Sequence, residues 1–353
     1  MGKDAMTPVE RWSAVLSRQK PDRIPLFWRA TRETLIRVKE YLGISENSEL
    51  FERLHIDEIV VVFPDYAGPK VKEGYDFFGC GFKDISYGAG VYSECVYHPL
   101  AEFETLQEIK RNYKFPSIDW FDFSVIRKQI QGKEHLPIWG GGMEPFLRYT
   151  QLRGLEMAMM DLVEKPDIVD YCMEQIFQLY YKITEGIYQQ IPGKVLLTMV
   201  AEDFGSQESL LFSPGCIREF FLPRMKKMMD LAHQNGAYVI THSDGAIRDI
   251  IPDLIECGVD VLDPVQWRCK NMDRASLKKD FGEKICFHGA VDNQYTMPFG
   301  SVEEVKKEVI ENIKILGENG GYFLGPCHNL QVITPPENIV AMYETAYYEG
   351  KQY

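Results

Sequence analysis

No CxxC pair occurs among the eight cysteines, which are scattered along the chain. The opening "MGKDAMTPVERW" also lacks the apolar core of a signal peptide, so the expected setting is the reducing cytoplasm. Long hydrophobic runs are missing, and no membrane span is expected. Positive charge is in deficit: the formal net charge is −13, and no cluster of Lys and Arg offers the footprint a nucleic-acid backbone requires. Partners are therefore sought among small molecules and proteins.

A GxGxxG loop after the first predicted strand, the mark of a dinucleotide-binding doubly wound sheet, is absent as well. The 353 residues have the composition of a globular enzyme with a full core, 45% hydrophobic and 26% charged. One pattern repeats from residue 190 onward: a short apolar, β-branched run, a polar or Gly-containing exit, then an amphipathic helix. It runs from "GKVLLTMVAEDFG" with "SPGCIREFFLPRMKKMMDLAHQNG", through "AYVITHSDG", "VDVLDPVQW" and "EKICFHGAVD", to "GYFLGPCHN" with its helix. Ser213, Pro214 and Gly236 supply cap, first turn and stop for the first of these helices.

The first half adds "RIPLFWR", "DEIVVVFPDY" and "LPIWGGGMEP". Eight strands alternating with helices predict a (β/α)8 TIM barrel, one domain over residues 1–353. An insertion is expected at about 66–135, after the second strand. Its aromatic, Gly-rich part reads as a hairpin or small sheet, and "AEFETLQEIKRNYKFP" as a helix behind it.

Such a barrel carries its active site at the carboxyl ends of the strands. The exits hold Arg29, Asp65, Gly140 to Gly142, Glu202 with Asp203, His242 with Asp244, Asp263, His288 with Asp292, and Cys327 with His328. His242 and Asp244 stand two residues apart on an extended segment, so both point to one side. With Cys327 or His328, and Glu202 or Asp203, they compose a ligand set for a catalytic zinc. The plainer alternatives are a His–carboxylate pair that locks a loop and a buried Cys327 after a Gly-Pro turn; for Asp263 and Asp292 capping is favoured. Catalytic candidates are His242, Asp244, His328 and Glu202. Substrate contacts are expected from Trp28, Arg29, Asp65, Tyr66, Gly141, Asp203 and His288.

Four stretches carry a resemblance: "MTPVERWSAVLSRQKPDRIPLFW", "THSDGAIRDIIPDLIECGVDVLDPVQ", "FHGAVDNQYTMPFGSVEEVKKEV" and "GPCHNLQVITPPENIVAMYETA". Together they resemble the uroporphyrinogen decarboxylase superfamily, which implies a (β/α)8 barrel with its cleft at the strand ends. True decarboxylases carry an arginine-rich "MRQAGR" signature after the first strand. Here the segment is "FWRATRETLIR", with Arg29 and Arg32 but without the signature. The related corrinoid-dependent methyltransferases hold zinc through an HxC motif and a cysteine after the eighth strand. In this chain His242 keeps the histidine, Asp244 replaces the motif cysteine, and counting back from "TPPENI" puts His328, not Cys327, on the final position.

The resemblance thus implies a methyltransferase that moves a methyl group from a small methoxylated or methylamine-type donor to a corrinoid (cobalamin), with zinc or an acid assisting the leaving group. No DxHxxG run of the cobalamin-ligating kind is present, so the corrinoid is expected on a partner protein. Two alternatives stand beside it: a decarboxylase of uroporphyrinogen or another acidic substrate, and a non-catalytic barrel that binds a corrinoid or tetrapyrrole. The oligomeric state stays open, a homodimer included.

Overall fold

The computed structural model describes residues 4–88 and 90–352; positions 1–3, 89 and 353, from the quoted opening, the insertion and the carboxyl end, lie outside them. Seven strands form one curled parallel sheet: β1 Val60–Val62, β2 Ile138–Met143, β3 Leu197–Val200, β4 Tyr238–His242, β5 Val261–Asp263, β6 Cys286–Val291 and β7 Tyr322–Pro326. They are ordered as in the chain, as successive strand-helix units that wind one way would be. The architecture is TIM-barrel-like.

The expected first strand, "RIPLFWR", is the exception. Only Leu26 pairs with β7, as a single parallel bridge to Leu324, while the Leu26 carbonyl accepts from Asp57 N–H just before β1. This segment therefore touches both ends of the sheet without forming a ladder. Pro25 has no N–H to give and restricts the residue before it, which accounts for the interruption.

Capping chemistry explains where the helices begin. Ser301 and Glu304 form a reciprocal capping box at Val302–Leu316, and Arg32–Leu42 runs from a Thr31 cap to Gly43 at φ 67°; each such cap contributes about 1 kcal/mol. Ser213 caps and Pro214 opens the short turn Pro214–Cys216 as expected, but the following turn Ile217–Phe221 is π-helical before Leu222–Gln234 resumes the α-helix. Pro223 lacks the N–H that would continue the ladder there.

Two cores result. Residues pointing outward from the sheet pack against the helices, while Trp12, Phe27, Trp139, Leu197, Val261 and Phe323 fill the interior nearer the strand starts. Trp12 comes from the helix Pro8–Leu16 and sits 4.6 Å, ring to ring, from Phe323. Between β1 and β2 the chain makes an antiparallel hairpin, Gly81–Ser86 with Val91–Tyr97, and a helix, Leu106–Asn112. An Arg148–Asp76 ion pair ties this region to the helix Pro145–Arg153. Among the described residues no helix is long and apolar enough to cross a membrane.

Candidate functional site

Strand alternation selects which exit residues face the barrel interior. On β4 Ile240 belongs to the interior cluster, so His242 and then Asp244 fall on the same side. The loop beyond holds them in place: Gly205 and Gly245 meet back to back, with a Cβ on Gly245 falling 2.4 Å from the Gly205 carbonyl carbon. That contact lets Asp244 N–H donate to Asp203 Oδ1 at 3.0 Å and Phe204 N–H to Ser243 Oγ at 3.0 Å.

His242, Asp244 and His328 bring one ligand atom each to within 4.8 Å of one another. Asp244 Oδ1 is buried and has no hydrogen-bond partner. Burial raises the Asp244 carboxyl to about 6, and burial together with the Arg29 charge lowers His328 to about 4, leaving that imidazole neutral. Two imidazoles and a carboxylate, one of its oxygens orphaned, fit a divalent ion with open coordination positions. The donors are nitrogen and oxygen only, so they do not select for a thiophilic ion.

Asp263 organises this group, a role not assigned to it from the sequence, where capping was expected. It lies opposite His242 in the β4–β5 register and is buried. His242 Nδ1 is 2.7 Å from Asp263 Oδ2, His288 Nδ1 is 2.6 Å from Oδ1, and Arg29 Nη1 is 3.2 Å from Oδ2. Burial pushes the Asp263 carboxyl up, but the His288 and His242 contacts win and hold it well below the usual carboxylate range. For His242 burial acts downward and the Asp263 hydrogen bond upward, with a net rise. Bonding at Nδ1 leaves Nε2 facing Asp244 and Asp203, each 3.9 Å away. This carboxylate–histidine arrangement orients a metal-ligating imidazole.

Other candidates are placed elsewhere. Cys327 is buried, its thiol directed to the Val265 carbonyl at 3.4 Å; burial raises it well above the usual thiol range. Glu202 has the outward parity of Thr198 and Val200, and its Oε1 accepts from Phe146 N–H at 2.7 Å, capping the helix Pro145–Arg153. Neither joins the triad. His288 is sealed in the interior against Phe27, 4.7 Å between ring centroids, with Nε2 unpartnered. Trp28 stacks on Tyr343 at 5.6 Å in the outer core. Asp65 is exposed and pairs with Asp122 in a two-stranded ladder, while Tyr66 stacks on Phe77. Asp203 and Arg29 remain at the mouth.

Gly141 and Gly142 lie at φ 73° and 115°. A Cβ on Gly142 would fall 1.9 Å from the Met199 carbonyl oxygen, so this glycine serves the close approach of β2 to β3. Their backbone also borders a cavity of about 480 Å³ whose other walls include Phe27, Val61, Phe63, Trp139, Leu147 and Tyr180. Glu144 joins the cavity to the triad. It lines the cavity, and its carboxyl is raised to about 7 by burial and then by the Asp203 charge, against the pull of His242. Glu144 was missed in the sequence because nothing in "GGGMEP" distinguishes it from a helix-start acid.

The family model for "Uroporphyrinogen decarboxylase (URO-D)" matches residues 77–348. A uroporphyrinogen decarboxylase of Trichodesmium erythraeum is 23% identical over 336 residues, covering 91% of this chain and 88% of the relative. A chloroplastic uroporphyrinogen decarboxylase of Zea mays is 29% identical, covering 81% and 69%. Among solved structures, a methyltransferase from Methanosarcina mazei superposes with a TM-score of 0.66 at 17% identity, over 97% of this chain and 98% of that one. That likeness is one of fold. With the family model spanning most of its length, the chain belongs to the uroporphyrinogen decarboxylase (URO-D) family.

Proposed function

We propose that this protein is a methyltransferase that takes a methyl group from a small methoxylated or methylamine-type donor and passes it to a corrinoid carried by a separate protein. The observation that carries the reading is the charge of the mouth. Asp203, Asp244 and Glu144 gather there, while Arg29 is engaged by Asp263 and Arg148 by Asp76. A substrate bearing many carboxylates would meet carboxyl groups and two arginines that are already paired. A neutral or cationic methyl donor meets no such repulsion.

The side chains suit the breaking of a carbon–heteroatom bond. Asp263 engages His242 Nδ1 and leaves Nε2 toward the mouth, where loss of its proton frees a lone pair for a ligand. His242, Asp244 and His328 would hold a divalent ion such as zinc, which when bound supplies Lewis acidity to the departing oxygen or nitrogen. As the methyl group moves to the reduced corrinoid, the electron pair of the broken bond stays on the heteroatom. Glu144, half-protonated near neutral pH, would give that atom its proton.

The test uses free cob(I)alamin as acceptor, with 2-methoxyphenol and trimethylamine as donors, and follows the spectrum of methylcobalamin. Metal analysis accompanies it on protein purified without added metal. The expected result is methylation that disappears in His242→Ala. Full activity with no bound metal in either form would remove the metal-assisted version. A second reading, decarboxylation of an acidic substrate, is favoured by the names of the sequence relatives. Carbon dioxide released from uroporphyrinogen, with no methyl transfer to cob(I)alamin, would replace the first reading by the second.

A further inference from the structure

The cavity beside the triad has a character the triad does not share. Its buried end is the stacked pair Phe27 and Trp139, 5.6 Å apart and 6° from parallel. Its open end is a rim of Val61, Phe63 and Leu147, apolar residues left 68%, 40% and 45% exposed. The ionisable residues among its walls are Glu144, Arg148 and Tyr180, and Arg148 is neutralised by Asp76. Among the described lining residues no free cation is present to receive a substrate carboxylate.

Size narrows the occupant further. A cavity of about 150 Å³ suffices for benzene. The 480 Å³ here holds one substituted ring with room left over, and a methylamine would leave most of the apolar wall in contact with water. Apolar walls with a few placed polar atoms are the usual make-up of a small-molecule site.

We infer that the apolar cavity between β1, β2 and the helix Pro145–Arg153 is the seat for an uncharged aromatic ring, which presents its reacting substituent past Glu144 to the triad. The direction of that substituent rests on the methyl-transfer reading; the seat itself rests on the cavity alone. Among the donors considered above, the methyl ether of a neutral phenol fits, whereas a methylamine or a ring carrying a carboxylate does not.

Binding is read by calorimetry on the full chain without any corrinoid, using 2-methoxyphenol, 4-methoxybenzoate and trimethylamine as probes. The neutral ring is expected to bind at least about tenfold more tightly than 4-methoxybenzoate, whose carboxylate finds no free cation among these walls, and than trimethylamine, which covers too little of the apolar surface. Val61→Asp and Leu147→Asp change exposed rim residues, so folding is retained, and each should weaken 2-methoxyphenol about tenfold. Val61→Leu, which keeps the rim apolar, should bind within about twofold of the unaltered chain.

Equal binding of all three probes, or rim aspartates that leave the neutral ring unaffected, would overturn the assignment. The two proposals separate cleanly. A ring that binds but never methylates cob(I)alamin sinks methyl transfer and leaves the seat standing. Turnover of trimethylamine with no ring binding does the reverse.

Discussion

The two sides of the barrel mouth are built on opposite terms. On one side ionisable groups crowd around His242: Asp203 and Asp244 from the exits of β3 and β4, Asp263 from β5 with Arg29 paired to it, and His328 beyond β7 with a ligand atom within 4.8 Å. At β1 and β2 the exits are glycine and apolar side chains around open space. Charge on the first side comes with geometry imposed by hydrogen bonds, which hold an imidazole to one tautomer and aim its free nitrogen. The second side has shape and little else. Chemistry that needs a fixed lone pair is matched to the first, and recognition of a body that needs only exclusion from water to the second. Glu144 stands between them, lining the cavity yet sensing His242 and Asp203 electrostatically.

Substitutions that act on one side and spare the other would sharpen this division. The largest effect is expected from His242→Ala. Methylation of cob(I)alamin should fall by about a thousandfold, with 2-methoxyphenol binding kept within about twofold. Loss of both together would break the division, because the two sides would then be one site. Next comes Asp263→Asn, which keeps the size of the side chain but weakens the hold on His242 and His288. Affinity for added zinc should drop about 10- to 100-fold, read by competition with a chromophoric chelator, again with ring binding unchanged.

Glu144 sharpens the comparison through pH. Its carboxyl rises from the ordinary 4.5 to about 7, so the folded state favours the protonated acid. Stability from this group is full below pH 4.5 and is lost as pH climbs through about 7, where the folded form also ionises. Glu144→Gln should therefore raise the thermal midpoint at pH 8 relative to pH 4, an effect of about 1–3 kcal/mol after allowance for partial exposure. If Glu144 gives the proton, the variant should also lose the fall in rate that the unaltered chain shows above about pH 7. A rate profile identical in both forms would remove it from the chemistry.

The smallest effect is expected from Cys327→Ala: activity and bound metal within about twofold, against loss of metal in His328→Ala. The reverse outcome would move the ligand position from 328 to 327.

Much of the fold was legible in the sequence because alternation, caps and stops are local. The strand-helix repeat, the Ser213 cap and the inward parity of His242 with Asp244 can all be read without a partner strand. The same parity also separates Glu202 from Asp203: continuing outward from Thr198 and Val200 puts Glu202 behind the sheet, where it caps a helix. Position 327 resists such reading. Alternation from Phe323 and Gly325 would point Cys327 inward, but β7 ends at Pro326 and the turn brings His328 to the mouth in its place.

What the sequence determined by itself was a barrel-like winding and a histidine and aspartate sent to one face, because backbone geometry fixes direction at spacings of two and of three to four residues. Only the tertiary structure decided that Asp263 holds His242, that His328 and not Cys327 completes the group, and that Trp139 rather than Trp28 borders the cavity. Each of those depends on the register between strands distant in the chain and on where a strand breaks off, and register is set by the packing of the whole sheet.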